Sequence, residues 1–358
     1  MRYPKVSLPG SLLALCLLSL ALCLGSMLTS CSEWNTDALG SHFVPANSQV
    51  RNFTHLVYVE YGGDGVRIWG NSAQEVTSTV EGQHVSIQNA SDSLALFVYG
   101  YPTAQDTLAT SDASLVVSSQ VPYALYLGGL GLRNQQGQAI RCVGDGACYL
   151  VLPQGSKNHL WGSLDVEGPL YVTGRGSLTI DHAGTCLTAA SLQCQYDATI
   201  TLDSRSGDGI NLRGPMRSTL GTWTINAQRH GIYSPDSVML MAGTYQGTAV
   251  EGAFIEARHG VIVRRPTLMA AAAWNSDVLD SAYVAQRHDS VLGVWHQPVD
   301  TLDLEARATY QVFRQGSKTA TASFTPLRSI AQPWLLIAHT AIQSTDTLSF
   351  IVKGADKK

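Results

Sequence analysis

The chain has 358 residues, with 23 Lys and Arg against 27 Asp and Glu and a formal net charge of −4. That balance argues against a nucleic-acid partner, which would require a basic face.

Residues 1–30 carry Arg2 and Lys5, then a nearly all-apolar run from Leu12 to Leu24 and small residues, the order of a secretory signal. The segment ends Leu28-Thr29-Ser30-Cys31, which resembles the lipobox of bacterial lipoproteins. The resemblance implies lipidation at Cys31 and a lipid anchor on a bacterial outer membrane or cell surface. Loss of Arg2 and Lys5 with the signal leaves 21 basic and 27 acidic side chains, a net charge of −6 (21 − 27). Residues 31–50 are polar and patternless, as expected of a flexible tether between lipid and domain. No later segment is apolar for long enough to span a membrane.

Strands are expected from His55 to Tyr61 and, after a Gly-Gly-Asp-Gly turn, from Val66 to Trp69. More are expected over 84–88, 94–101, 114–118, 123–127 and 148–152. Besides Cys31, an exported chain would keep Cys142, Cys148, Cys186 and Cys194. An even number in an oxidising compartment predicts disulfides, and short loops make Cys142–Cys148 and Cys186–Cys194 the natural pairs, although adjacent rungs could bring other pairs together.

From residue 176 one short unit recurs. Gly176 to Ala183 reads GSLTIDHA, Ala198 to Arg205 ATITLDSR, Gly221 to Gln228 GTWTINAQ and Gly243 to Val250 GTYQGTAV, with steps of 22, 23 and 22 residues. A second unit keeps the same beat: Gly184-Thr-Cys-Leu187, Gly207-Asp-Gly-Ile210, Arg229-His-Gly-Ile232 and Glu251-Gly-Ala-Phe254. A fixed period above about 20 residues is the mark of a solenoid. Leu178 and Ile180, Ile200 and Leu202, and Trp223 and Ile225 alternate with Ser and Thr, a strand period rather than a helical one. Short strands separated by turns on this beat predict an all-β, right-handed parallel β-helix over 51–268. Its apolar columns would fill the coil and its polar columns would run outside.

The ordered set 123–140 (YALYLGGLGLRNQQGQAI), 148–162 (CYLVLPQGSKNHLWG), 167–180 (EGPLYVTGRGSLTI) and 207–210 (GDGI) resembles the carbohydrate-binding domain family of bacterial surface and secreted proteins. The resemblance covers roughly 50–265. It implies a right-handed parallel β-helix that binds polysaccharide, acidic or plant-derived sugars among the candidates, with calcium in some members. The chain departs from the family's repeated Gly-Asp-Gly-Ile: only Asp208 keeps the carboxylate, and Thr185, His230 and Gly252 stand at the matching positions. A calcium site needs several oxygen ligands in one place.

Past Arg265 the beat fades. Met269-Ala-Ala-Ala-Ala-Trp274 would start a short helix or close the coil, and strands return over 302–305, 309–313, 319–324, 334–339 and 348–352. The expectation for 269–358 is terminal β structure that caps or extends the helix, with a separate small β-sandwich as the alternative.

For function, the chain shows no Gly-x-Ser-x-Gly elbow, His-Glu-x-x-His or phosphate loop. An enzyme on this scaffold would be a polysaccharide lyase or hydrolase. Asp181 and Asp203 lie one rung apart with Asn226 next, as a carboxylate pair or as a ladder of turn residues. Lys157, Arg205, Arg229 and Arg258 are the available bases, and Arg is a poor one. Arg229-His230 and Arg258-His259 could pair with a uronate or simply be solvated turns. Trp223, in phase with Leu178, is expected in the core, whereas Trp69, Tyr101 and Trp161 could stack on sugar. An adhesin that binds protein and a Thr array that binds ice are the other classes. The favoured expectation is a non-catalytic polysaccharide binder using Thr179, Thr201, Thr224, Asp181, Asp203, Asn226, Asp208, Arg229 and His230, with no catalytic residue.

Overall fold

The computed structural model describes residues 53–70, 75–100, 112–264, 266–273, 294–343 and 345–353. The signal segment, Cys31, the tether, Tyr101 and Trp274 lie outside them. Every element among the described residues is a strand, and no helix there is long and apolar enough to cross a membrane.

The body is a parallel β-helix whose strands stack in three columns. The first column runs through His55–Gly62, Leu94–Gly100, residues 123–127, Cys148–Leu152, Pro169–Gly174, Ser191–Cys194, Met216–Ser218, Val238–Leu240 and Val261–Val263, paired in parallel throughout. Residues 131–133 and 157–161 begin the second, followed by Ser177–His182, Thr199–Ser204, Thr222–Ala227, Thr244–Ala249 and Thr267–Ala272. The third holds His84–Asn89, Ser114–Ser119, residues 138–143 and 163–166, Leu187–Ala189, Ile210–Leu212, Ile232–Ser234 and Ile255–Ala257. Along each strand the period of two sends one set of side chains inward. Leu178, Ile200 and Trp223, then Ile180, Leu202 and Ile225, are all buried, so Trp223 is core as its phase predicts.

Close stacking demands residues without a Cβ at some positions. Gly247 has φ +156°, and a Cβ there would stand 1.7 Å from the Ile225 carbonyl oxygen. At Gly174, φ +99°, it would stand 2.0 Å from the Leu152 oxygen. Both are places where one rung's backbone rests on the next and only glycine fits.

Reversed strands close both ends. Gly65–Trp69 pairs antiparallel with His55–Gly62, and Val76–Glu81 pairs antiparallel with His84–Asn89. At the far end Trp334–Ala338 runs antiparallel to Thr267–Ala272 and to Val294–Pro298. Thr267–Ala272 is therefore a strand that closes the coil, not the start of a helix. It serves two cores at once: Leu268, Ala270 and Ala272 belong to the coil interior, whereas Met269 and Ala271 pack with Trp295, Tyr310, Val312 and Ile337. The boundary expected at 268/269 thus falls inside a shared strand, and the C-terminal β structure extends the solenoid. Its small sheets pair Tyr310–Arg314 with Ala322–Phe324 and Leu348–Val352, and Asp303–Leu304 with Ile330–Ala331.

The expected disulfides are not formed: Cys142, Cys148, Cys186 and Cys194 are free and buried. Cys186 precedes a third-column strand and donates to the Ile180 carbonyl at 3.6 Å, whereas Cys194 ends a first-column strand and faces the Tyr196 and Leu220 carbonyls, each at 3.6 Å. Short sequence separation places this pair on different walls of the coil. Cys142 and Cys148 do lie near each other across a corner, beside Tyr123, but as free thiols. All four behave as small apolar core residues, and burial pushes the thiols of Cys186 and Cys194 up to about 12.

Candidate functional site

The outer side of the second column is a polar strip. Register places Ser177, Thr199, Thr222 and Thr244 in one row and Thr179, Thr201, Thr224 and Gln246 in the next. Successive members are one strand spacing apart, about 4.8 Å, and members of the two rows on one strand are about 7 Å apart. Thr179, Thr201 and Thr224 are half-buried at their bases, and Gln246 Nε2 donates to Thr224 Oγ1 at 3.0 Å. Toward the N-terminal rungs the second row continues to His159, and the row beside it to Trp161 and Arg133. The His159 and Trp161 rings stack with centroids 3.8 Å apart, and the Arg133 guanidinium lies 5.5 Å from the Trp161 ring centroid. Burial, then the charge of Arg133, holds the His159 imidazole below its ordinary pKa against the opposing pull of Asp181. The strip thus joins a cation–aromatic stack to a lattice of hydroxyls.

The acidic row is engaged within the protein. Asp181 pairs with Arg205 at 3.1 Å. Asp203 accepts a hydrogen bond from Arg328 Nη2 at 2.7 Å, and the same guanidinium donates to the Ser204 carbonyl at 2.5 Å and to Gln228 Oε1 at 3.1 Å. Asn226 is buried and accepts from Thr248 Oγ1 at 2.9 Å. Among the described residues no cluster of three His, Cys, Asp or Glu side chains could hold a metal ion. The carboxylates that a calcium ion would want face Arg and His instead.

Asp208, Arg229 and His230 come together at the turn between the second and third columns. Asp208 is buried; its Oδ1 accepts from the His230 amide at 3.0 Å and lies 2.9 Å from His230 Nδ1, and its Oδ2 accepts from Asn211 Nδ2 at 2.7 Å. Arg229 Nε stands 3.9 Å away. On the far side His230 Nε2 meets Glu256 Oε2 at 2.8 Å. Burial pulls the Asp208 carboxyl up, but hydrogen bonds from the His230 side chain and amide and from Asn211 outweigh it and leave the pKa lowered. Both ring nitrogens of His230 are thus engaged by carboxylates, Nδ1 by Asp208 and Nε2 by Glu256. This cluster joins rungs, tying the turn of Asp208 to that of His230 and to Glu256.

The four positions Thr185, Asp208, His230 and Gly252 now have one explanation. They stack, and a side-chain oxygen on one rung caps the turn amide of the next. Thr185 Oγ1 accepts from the Asp208 amide at 3.3 Å, and Asp208 Oδ1 from that of His230. Gly252 makes room for the ring, since a Cβ there would lie 2.7 Å from His230 Cδ2. Buried turn amides need such acceptors.

Arg258 and His259 are exposed, with His259 Nδ1 3.5 Å from Asp236. Trp69 is 42% exposed and stacks on Tyr58, centroids 5.7 Å apart. Sequence reasoning missed Arg328, Glu256, Asn211, Arg133 and His159. Of these, Asn211 and Glu256 share a strand column and were reachable from the 22–23-residue beat. Arg328 lies outside the repeat and leaves no periodic signal. No family model, curated protein or solved structure matches the chain.

Proposed function

We propose that the protein binds polysaccharide non-catalytically along the outer strip of the second column. The observation that carries this reading is the register of the hydroxyl rows: like side chains recur at an even spacing and lead into the His159–Trp161–Arg133 stack. A glycan chain is itself a repeating array of hydroxyls. Each contact contributes of order 1 kcal/mol net, so affinity requires several rungs together. Trp161 supplies an apolar plate at one end, where a sugar ring gains by stacking. The resemblance to carbohydrate-binding β-helices supports the same reading, and the lipobox-like segment ending at Cys31 is consistent with a cell-surface anchor.

A glycan array of the soluble domain, with and without calcium, tests the proposal. The triple variant Thr179→Ala, Thr201→Ala and Thr224→Ala should lose most binding while its circular dichroism stays β-rich. Normal binding by that variant refutes the strip, and release of reducing or unsaturated sugars refutes the non-catalytic claim. The two-dimensional Thr lattice also suits ordered water, so thermal hysteresis without glycan binding would replace this reading with an ice-binding one.

A further inference from the structure

The N-terminal end of the third column holds an open groove of about 440 Å³. Its volume lies within the roughly 300–1,000 Å³ range of ligand clefts. The closing hairpin creates it. Thr77, on the reversed strand Val76–Glu81, sits opposite Gln88, and Gln88 sits beside Ser118. These side chains line the groove, and Glu75 and Gln120 stand with them. Val143, next in the row after Ser118, ends the polar run.

One wall is rigid and fully bonded. Buried Asn89 donates to the Ser91 carbonyl and to Ser119 Oγ, each at 3.0 Å, and accepts from the Ser91 amide at 2.9 Å. Ser119 Oγ in turn donates to the Val121 carbonyl at 2.7 Å. Gly144 packs the corner so closely that a Cβ would lie 2.5 Å from the Ser119 carbonyl oxygen and 2.9 Å from Gln120 Nε2. Against this wall, the side chains of Glu75, Thr77, Gln88 and Ser118 make no hydrogen bond or ion pair with any described residue. Free polar groups are ordinary on a surface, but here a carboxylate, two hydroxyls and an amide converge on one concavity.

Their chemistry selects a ligand class. The lining residues supply no cation and no aromatic plate, so phosphate, uronate and flat aromatic ligands find no complement. A carboxylate, amides and hydroxyls together offer acceptors and donors for vicinal hydroxyl groups. We propose that this groove is a second binding subsite, for the end of a neutral glycan chain. The ligand class rests on the glycan-binding reading above, but the residues are different ones, and Glu75 sets a preference for neutral over acidic sugars.

Saturation-transfer NMR and titration calorimetry with cellotetraose, mannotetraose, xylotetraose and tetragalacturonate test the subsite. At least one neutral tetrasaccharide should bind. Gln88→Ala should weaken it by about tenfold, the loss of roughly one to two hydrogen bonds, and Ser118→Tyr should abolish it by filling the groove. Both sites are outward strand positions, and unchanged circular dichroism checks the fold. Glu75→Gln should narrow the discrimination against tetragalacturonate. The triple Thr179, Thr201 and Thr224 variant should bind the same neutral sugar as before, whatever becomes of the strip. The subsite is overturned if no neutral tetrasaccharide binds, if Ser118→Tyr leaves binding intact, or if the triple Thr variant removes it.

Discussion

Removing the Asp208 carboxylate takes a buried acceptor out of the coil. Asp208 is 1% exposed and serves the His230 amide, the His230 ring and Asn211. In Asp208→Ala two donors at a buried turn lose their acceptor, and the His230 ring keeps only Glu256. Unpaired buried groups cost about 1–3 kcal/mol each, and breaking a buried charge pair costs about 3–5 kcal/mol. The expected loss is therefore about 3–5 kcal/mol, with Asp208→Asn less severe because the amide oxygen still accepts one bond. Stability in a solenoid is a sum of rungs and their interfaces, so the damage should be local. Hydrogen exchange should quicken over 205–212 and 229–234 while residues 123–152 stay protected. The effect has a pH signature. The folded-state pKa of Asp208 is lowered, so its contribution is fully present above the unfolded value, about 3.9. It is lost as pH falls through the folded value. The gap between wild type and Asp208→Asn in urea titrations should be constant from neutral pH down to about 5 and close below about 4. A loss under about 1 kcal/mol for Asp208→Ala would refute the reasoning, as would a gap that stays open in acid.

Arg328 should tie the C-terminal β structure to the coil: a double-mutant cycle of Arg328→Ala with Asp203→Ala should give a coupling of about 1–2 kcal/mol, and a value near zero would mean the pair is screened. Gly247→Ala, forced to φ +156° with its Cβ 1.7 Å from the Ile225 oxygen, should destabilise by about 3 kcal/mol or more, whereas the open Gly82→Ala should cost much less by the same denaturant titration. Thiol titration in denaturant should find Cys142, Cys148, Cys186 and Cys194 all reduced, and in the native state their burial should make them slow to react; protection of any pair by a disulfide would contradict the structure.

The coil was legible in the chain because a solenoid repeats its physics. Each rung meets the same interior, so Leu178, Ile200 and Trp223 had to recur in phase, and the beat alone fixed their register. The site was legible only where a residue belonged to that beat. Asp208 and His230 stood out as aligned positions, yet their aligned difference hid their purpose: an acid on one rung and its base on the next make a bonded pair. Asp181 and Asp203 were visible as a column, and Arg205, which pairs with Asp181, lay in the same repeat, but Arg328, which pairs with Asp203, was not visible because it arrives from 125 residues away. The cysteine pairing misled for a related reason. In a coil of three walls, eight residues of separation, as between Cys186 and Cys194, carries a chain around a corner rather than back upon itself.

The reversed strands at the ends also change what the stack offers to a further strand. A stack of parallel rungs is a template, since its last strand offers an open edge and an apolar cross-section on which an identical chain could continue. Here the third column starts with Val76–Glu81, which runs the wrong way and of which only Val76 is buried. At the other end Thr267–Ala272 is met by a reversed strand backed by its own core. An incoming copy would find hydrogen-bonding groups but neither the polarity nor the greasy interior needed to prolong the rod. The described ends of the stack are thus poor templates for its prolongation by an identical parallel strand.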